Sequence, residues 1–272
     1  YELEQSLRFN DDDSAYLSTT LGTATHNDRA TFSCWTKRGN LSDNDKLITR
    51  YTDANNRFYI GFNTDNNLLV YSKLSSSTVI ALYSTAQFRD TSSWYHILVA
   101  MDTGQGTAAN RVKVYVNGSQ ITDFGTETYP SQNQDLVIQS ATSTPLTIGS
   151  YDPTSTAQFY DGYMTEMNFV DGQQLTPADF GETGTYGEWK PIAYSGSYGT
   201  NGFYLPFKQD YTVEGFSTVT YKGNSSNRYL GGFGFQPDLI WQKTRDYGYG
   251  HQIVDSVRGT SKEFYEISSA SS

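Results

Sequence analysis

Glu166 and Asp171 lie on and just beyond a short apolar stretch, "DGYMTEMNFVDGQQLTPADFG" (Asp161 to Gly181), and come closest in this chain to a catalytic pair. Glycoside hydrolysis needs two carboxyl groups flanking the scissile bond, about 5 Å apart when configuration is retained. The stretch has strand periodicity, so Glu166 shares a face with Asn168 and Val170, while Asp171 falls at the turn on the other face. One carboxylate on a face cannot act as both acid and nucleophile. The spacing therefore argues against a hydrolase and leaves Glu166 as a structural hydrogen-bonding residue or a metal ligand. No G-x-S-x-G elbow or H-E-x-x-H motif is present, and His26, His96 and His251 are scattered singly. "GGFGF" leads into Pro237 and a strand-like run rather than a helix, which argues against a phosphate loop. Cys34, the one cysteine, reads as a buried free thiol in "TFSCWTK" and excludes a disulfide within the chain.

Sugar binding asks for an aromatic face and a few fixed polar groups. Asp102 and Asn110, flanking "TGQGTAA", and Tyr151, Asp152 and Tyr160, around "YDPTSTAQFY", combine those types in loops. The alternative for each is a place on a tyrosine-rich β surface or in a subunit interface. Trp35, mid-strand beside Cys34, reads as core.

The elements that must position these residues are strands. Charged residues make up 18% of the 272 positions and aromatics 15%, with 22 Tyr and 24 Gly, a composition suited to short strands joined by tight turns. "SLRFN", "TFSCWTKR", "KLITRYT", "RFYIGFN", "LLVYSK", "YHILVAMD", "RVKVYVNG", "LTIGS" and "YMTEMNFV" alternate or run apolar over four to eight residues. Asn117-Gly118 and Thr64 to Asn67 carry turn chemistry, so hairpins are expected. "TPADF" predicts one helical turn capped by Thr176, with Pro177 first and Asp179 reaching back. The expected fold is all-β, a two-sheet antiparallel jelly-roll-like sandwich over residues 1–190. A Gly/Tyr-rich connector over 191–210 and the start of a second β module over 211–272 should follow it. The net charge of −10, without any Lys/Arg-rich run, excludes the footprint of a nucleic-acid binder. No apolar run is long enough for membrane insertion, and the start has no signal-peptide pattern. A chain that begins without Met and stops in "EISSASS" reads as a piece of a longer polypeptide.

"SLRFNDDDSAYL", "FSCWTK", "WYHILVAMD", "VKVYVNGSQI", "LTIGSY" and "GYMTEMNFVDGQQLTPADF" resemble, in that order, the laminin G-like, concanavalin A-type lectin and glucanase fold. Glucanases of that fold set Glu, Asp and Glu at alternating positions of one strand, a pattern this chain lacks after Glu166. The resemblance implies a calcium ion held by oxygen ligands, for which Asp11 and Asp13, with Glu166, are the candidates. Thr165 stands where the family commonly has Asp, and a solvated acidic turn is the other reading of Asp11 to Asp13. "DGQQLTPADFGE", "YSGSYGTNGFYLPF" and "GFGFQPDLIWQKTRD…HQIVDSVRG" resemble segments of virion proteins of tailed bacteriophages, particularly marine ones. That resemblance implies a non-enzymatic fibre or appendage domain on the virion surface, with lectin-like loops binding host-surface glycan. The alternative is a capsid or tail decoration protein contacting other virion subunits, and a glycan hydrolase ranks third. A homo-oligomer, as in trimeric phage fibres, is implied with either of the first two.

Overall fold

The computed structural model describes residues 3, 5–140, 144–152, 158–208, 215–223, 235–245, 248, 250–257 and 264–265. The chain divides into two units, residues 1–208 and 209–272. The strands of the first are β1 (Leu7–Phe9), β2 (Leu17–Thr19), β3 (Arg29–Arg38), β4 (Lys46–Asp53), β5 (Asn56–Phe62), β6 (Asn67–Leu74), β7 (Ser77–Gln87) and β8 (Tyr95–Asp102). They continue as β9 (Val112–Val116), β10 (Ser119–Ile121), β11 (Phe124–Thr128), β12 (Leu146–Ile148), β13 (Gly162–Asp171), β14 (Gly181–Thr183), β15 (Trp189–Pro191) and β16 (Phe203–Leu205). Two large antiparallel sheets result. One runs β1-β13-β3-β8-β9-β10, with β16 also paired to β13, and the other runs β11-β7-β6-β5-β4-β12-β2.

Period-two alternation explains why the sheets stack. Cys34 of β3, Val99 of β8, Val114 of β9 and Phe169 of β13 point inward, where they meet Ile48 of β4, Ile60 of β5, Val70 of β6 and Leu82 of β7. Each such side chain contributes roughly 1.5–3 kcal/mol of burial. Arg38 of β3 crosses to Asp45 beside β4 at 2.9 Å, with both side chains wholly buried. It also donates to Asn66 Oδ1 and to the Phe88 carbonyl, so the charge taken out of water has partners. Asn117 and Gly118 close the β9–β10 hairpin with φ of 48° and 79°, the positive values that the "NG" pair predicts. Thr176 donates from its backbone N–H and its hydroxyl to Asp179, at 2.8 Å each, capping the single helical turn.

The first unit runs past the expected end at residue 190. Tyr194 stacks on Phe180 at 5.0 Å and meets Tyr198 edge-on, and these rings pack over Leu98, Ala100 and Val170 on the outer face of the first sheet. Phe203–Leu205 then adds β16 to the edge of β13. A Gly/Tyr-rich composition reads as a linker, but its aromatic rings are what cover this face.

β1 and β16 share one edge of β13. β1 pairs with Gly162 to Met164, and β16 pairs with Met167 to Phe169. Between them the β3–β13 register slips, and Glu166 takes φ of 50°, a strained value for a side-chain-bearing residue. The Thr165 hydroxyl reaches the Gln5 and Pro206 carbonyls at this junction, at 2.8 and 3.3 Å.

In the second unit the described strands β17 (Leu239–Gln242), β18 (Gln252–Asp255) and β19 (Phe264–Tyr265) form an antiparallel sheet. Leu239, Ile240 and Trp241 are all exposed on it.

Candidate functional site

The outer faces of the two sheets differ. On the first sheet the apolar outer residues are packed under Tyr194 and Tyr198, whereas on the second a set of half-buried tyrosines lies uppermost. Strand register builds that set. Thr49, Tyr59, Tyr71 and Ala81 are opposite one another across β4 to β7. One rung further, Tyr51, Arg57 and Lys73 are opposite one another. On the other side Leu69 pairs with Tyr83. Since Ile48, Phe58, Ile60, Val70 and Leu82 face the core, these alternate positions face outward.

The rings form one aromatic surface. Tyr59 and Tyr71 stack at 5.0 Å with 20° between planes. Tyr151 closes over them, 5.0 Å from Tyr51 and 5.4 Å from Tyr59. Burial pushes the Tyr59 and Tyr151 hydroxyls up in pKa, so both are neutral donors and acceptors in ordinary conditions. The Arg57 guanidinium lies over Tyr71 at 5.5 Å, and the Lys46 ammonium lies over Tyr59 at 5.2 Å. Burial lowers Lys46 to about 8, against the opposing pull of Asp45 and Asp43. The surface thus offers planar rings for an apolar ring face, phenolic hydroxyls for hydrogen bonds, and positive charge.

Of the five residues expected to bind sugar, only Tyr151 belongs to this surface by direct ring contact, and Asp152 follows it in the chain. Tyr160 is wholly buried. It donates to the Lys37 carbonyl at 2.9 Å and bonds Thr36 Oγ1 at 2.5 Å, so its hydroxyl is a core bridge and its ring is closed to a ligand. Asp102 pairs with the Arg29 end of β3, whereas Gly162, two residues after Tyr160, pairs with the Arg38 end. Nine strand steps separate those ends, about 30 Å. The Asp102 carboxylate accepts from Gly104 N at 2.9 Å and Gln105 Nε2 at 2.7 Å, and its charge meets Arg29. It organises its own loop. Asn110 is exposed there, with its carbonyl accepting from Gln174 Nε2. The five residues are not one site. Tyr51, Tyr59, Tyr71 and Tyr83 escaped the sequence reading. Their signal was a tyrosine at outward strand positions on four consecutive strands.

The expected calcium ligands are likewise apart. Among the described residues no group of three or more His, Cys, Asp or Glu could hold a metal ion. Asp13 accepts from Asn10 and Asp11 accepts from Asp12 N and Asn40, while both Glu166 oxygens accept from the Tyr204 hydroxyl, at 2.7 and 2.8 Å. The acidic run is a hydrogen-bonded turn, and Glu166 is held by β16. Asp171 is also engaged: its carboxylate accepts from Thr25 N, Gln139 Nε2 and Asn201 N, which fastens three loops and leaves no carboxylate pair on β13.

His96 sits close to a serine without forming a nucleophilic dyad. Trp189 Nε1 donates to His96 Nδ1 at 2.9 Å, so the imidazole proton is on Nε2 and is donated to Ser33 Oγ at 2.8 Å. A base that already carries its proton on the serine side cannot take one from the hydroxyl. Burial pushes His96 down to about 3. Cys34 is buried and its thiol is pushed up by burial, as an inert core thiol should be.

No curated protein matches the chain. Solved structures are similar to it at low identity. A pentraxin from Limulus polyphemus is 15% identical with a TM-score of 0.42, over 59% of this chain and 70% of the pentraxin. Domain 4 of an extracellular arabinanase from Geobacillus stearothermophilus, in complex with arabinotriose, is 19% identical with a TM-score of 0.46, over 64% and 73%. Tailspike protein 2 of an Escherichia coli O157:H7 bacteriophage is 11% identical with a TM-score of 0.44, and the match takes in 64% of this chain and 23% of the tailspike. The profile of a domain of unknown function matches residues 212–272. That of the concanavalin A-like lectin/glucanases superfamily matches residues 10–180, the stretch that holds both large sheets apart from their outermost pieces β1 and β16, and the chain belongs to that superfamily.

Proposed function

We propose that the first unit is a non-hydrolytic saccharide-binding domain whose platform is the outer face of the second sheet. The observation that carries this reading is the stacked Tyr59–Tyr71 pair, extended by Tyr51 and Tyr151 on a rigid four-strand base. Sheet-borne rings are held in place before the ligand arrives, so little entropy is lost on binding. The setting we propose is the surface of a bacteriophage particle, where repeated copies would turn weak single sites into firm attachment to host glycan. That setting is supported by the resemblance of segments within residues 171–259 to virion proteins.

The test is affinity electrophoresis of the chain through gels containing a panel of soluble polysaccharides, with reducing-end assay for cleavage. Retardation without cleavage is expected. Tyr71→Ala should weaken it about five- to tenfold, the loss of one stacking contact of about 1 kcal/mol. Retardation unchanged in Tyr59→Ala and Tyr71→Ala moves the site elsewhere. Cleavage abolished by Glu166→Gln overturns the non-hydrolytic reading.

A purely structural role is the second reading, and the second unit favours it. Leu239, Ile240 and Trp241 are 46–66% exposed on a three-stranded sheet, an apolar surface of the kind that docks on a protein neighbour.

A further inference from the structure

Arg57 and Lys73 are directly opposite each other in the β5–β6 ladder, on the outward face one rung from the Tyr59–Tyr71 stack. Like charges in direct register repel, and a sheet gains nothing from them on its own. No carboxylate among the described residues forms an ion pair with either. Asp53, at the end of β4, accepts from Asn55 N and Asn56 Nδ2 instead, and Asp45 is turned inward to Arg38. Arg57 Nη1 donates to the Ala54 carbonyl at 2.7 Å, while its Nε is buried and has no hydrogen-bond partner among the described residues. Lys46, under the Tyr59 ring, is buried and donates to the Asn44 carbonyl, so it is not part of this pair. The Arg57–Lys73 pair, without an ion-pair partner, occurs in a chain with 29 acidic and 19 basic residues.

We infer that the saccharide recognised on this face carries anionic groups, as sugar carboxylates or sulfate esters, which the Arg57–Lys73 pair receives while the sugar ring stacks on Tyr59 and Tyr71. This rests on the tyrosine face being the binding platform. The arrangement divides the work: rings bind the apolar face of the pyranose, and the half-buried Arg57 side chain with the Lys73 ammonium reads the charge. Overall negative charge on the protein works against non-specific adhesion of polyanions, so any such binding has to be local.

The test is titration calorimetry of the whole chain with two matched pairs: polygalacturonate against its carboxyl-reduced neutral form, and dextran sulfate against dextran. The expected result is at least about tenfold tighter binding of the charged member in one pair or both, weakening as salt is added. Which pair responds tells carboxylate from sulfate. Arg57→Gln should abolish the preference and leave the melting temperature unchanged or raised, since it removes one of two opposed cations. Equal affinity for charged and neutral members overturns the charge assignment and leaves the tyrosine platform standing. A preference that survives both Arg57→Gln and Lys73→Gln also overturns it. If Tyr71→Ala changes no measured affinity, both readings fall.

Discussion

His96 illustrates how one residue's partners decide what it can do. With Trp189 donating to Nδ1 and burial holding the pKa near 3, the ring stays neutral across the working range. The unfolded chain binds a proton on this side chain near pH 6.5 and the folded one does not until about 3. The stability this gives is therefore complete above pH 6.5 and lost as pH falls, by about 2 kcal/mol at pH 5. Asp45 acts with the opposite sign. Burial, partly offset by Arg38, raises it from 3.8 to about 6, so the folded state takes up a proton first and gains stability as pH falls through that window. Denaturant midpoints of the wild type and His96→Gln measured between pH 7.5 and 5 separate the two: the acid-side loss should disappear in the variant and the Asp45 gain remain. An identical pH slope in both proteins would mean that His96 titrates normally.

At the scale of elements, β13 is the strand on which the sandwich depends, since it pairs with β3 along its length and carries β1 and β16 end to end on its other edge. Chains ending at Lys190 and at Lys208 should therefore differ sharply in melting temperature. The shorter loses β16, the Tyr204–Glu166 bonds and the Tyr194–Tyr198 cover. Tyr204→Phe alone should cost about 1.5–3 kcal/mol, the range for a hydrogen bond to a charged group. Equal melting of the two chains would return residues 191–208 to the status of a connector. The strands themselves were largely legible: "RVKVYVNG" puts Val112 and Val114 in the core, as its alternation requires. β7 was not, because "STVIALYSTAQ" hides its alternation among small polar residues. The site was less legible still. Tyr51, Tyr59, Tyr71 and Tyr83 are outward in their own strands, but only the register between strands makes them one surface, and register is a long-range property that local periodicity does not encode. Tyr160 and Tyr151 are nine positions apart in one loop region, one buried and the other on the platform.

For the molecule as a whole, no cluster of acidic ligands among the described residues waits for an ion. An ion that binds only the folded state would raise the melting temperature by mass action. The expected melting curve is thus the same with and without EDTA, and a fall of several degrees would restore the calcium proposal. The arrangement around β13 also fixes an order of events. Its neighbours β1 and β3 are made long before it, and Thr165 reaches Gln5 across 160 positions of sequence. A ribosome that has not yet delivered β13 holds a chain with two unpaired strand edges and a core still lacking Met164, Met167 and Phe169. Folding should be slow to begin and late to finish, as ladders closed by distant partners are. Nascent chains stopped before Gly162 should aggregate, whereas chains that reach Lys208 should fold, which makes the pace of synthesis and the shielding of that open edge the determinants of yield.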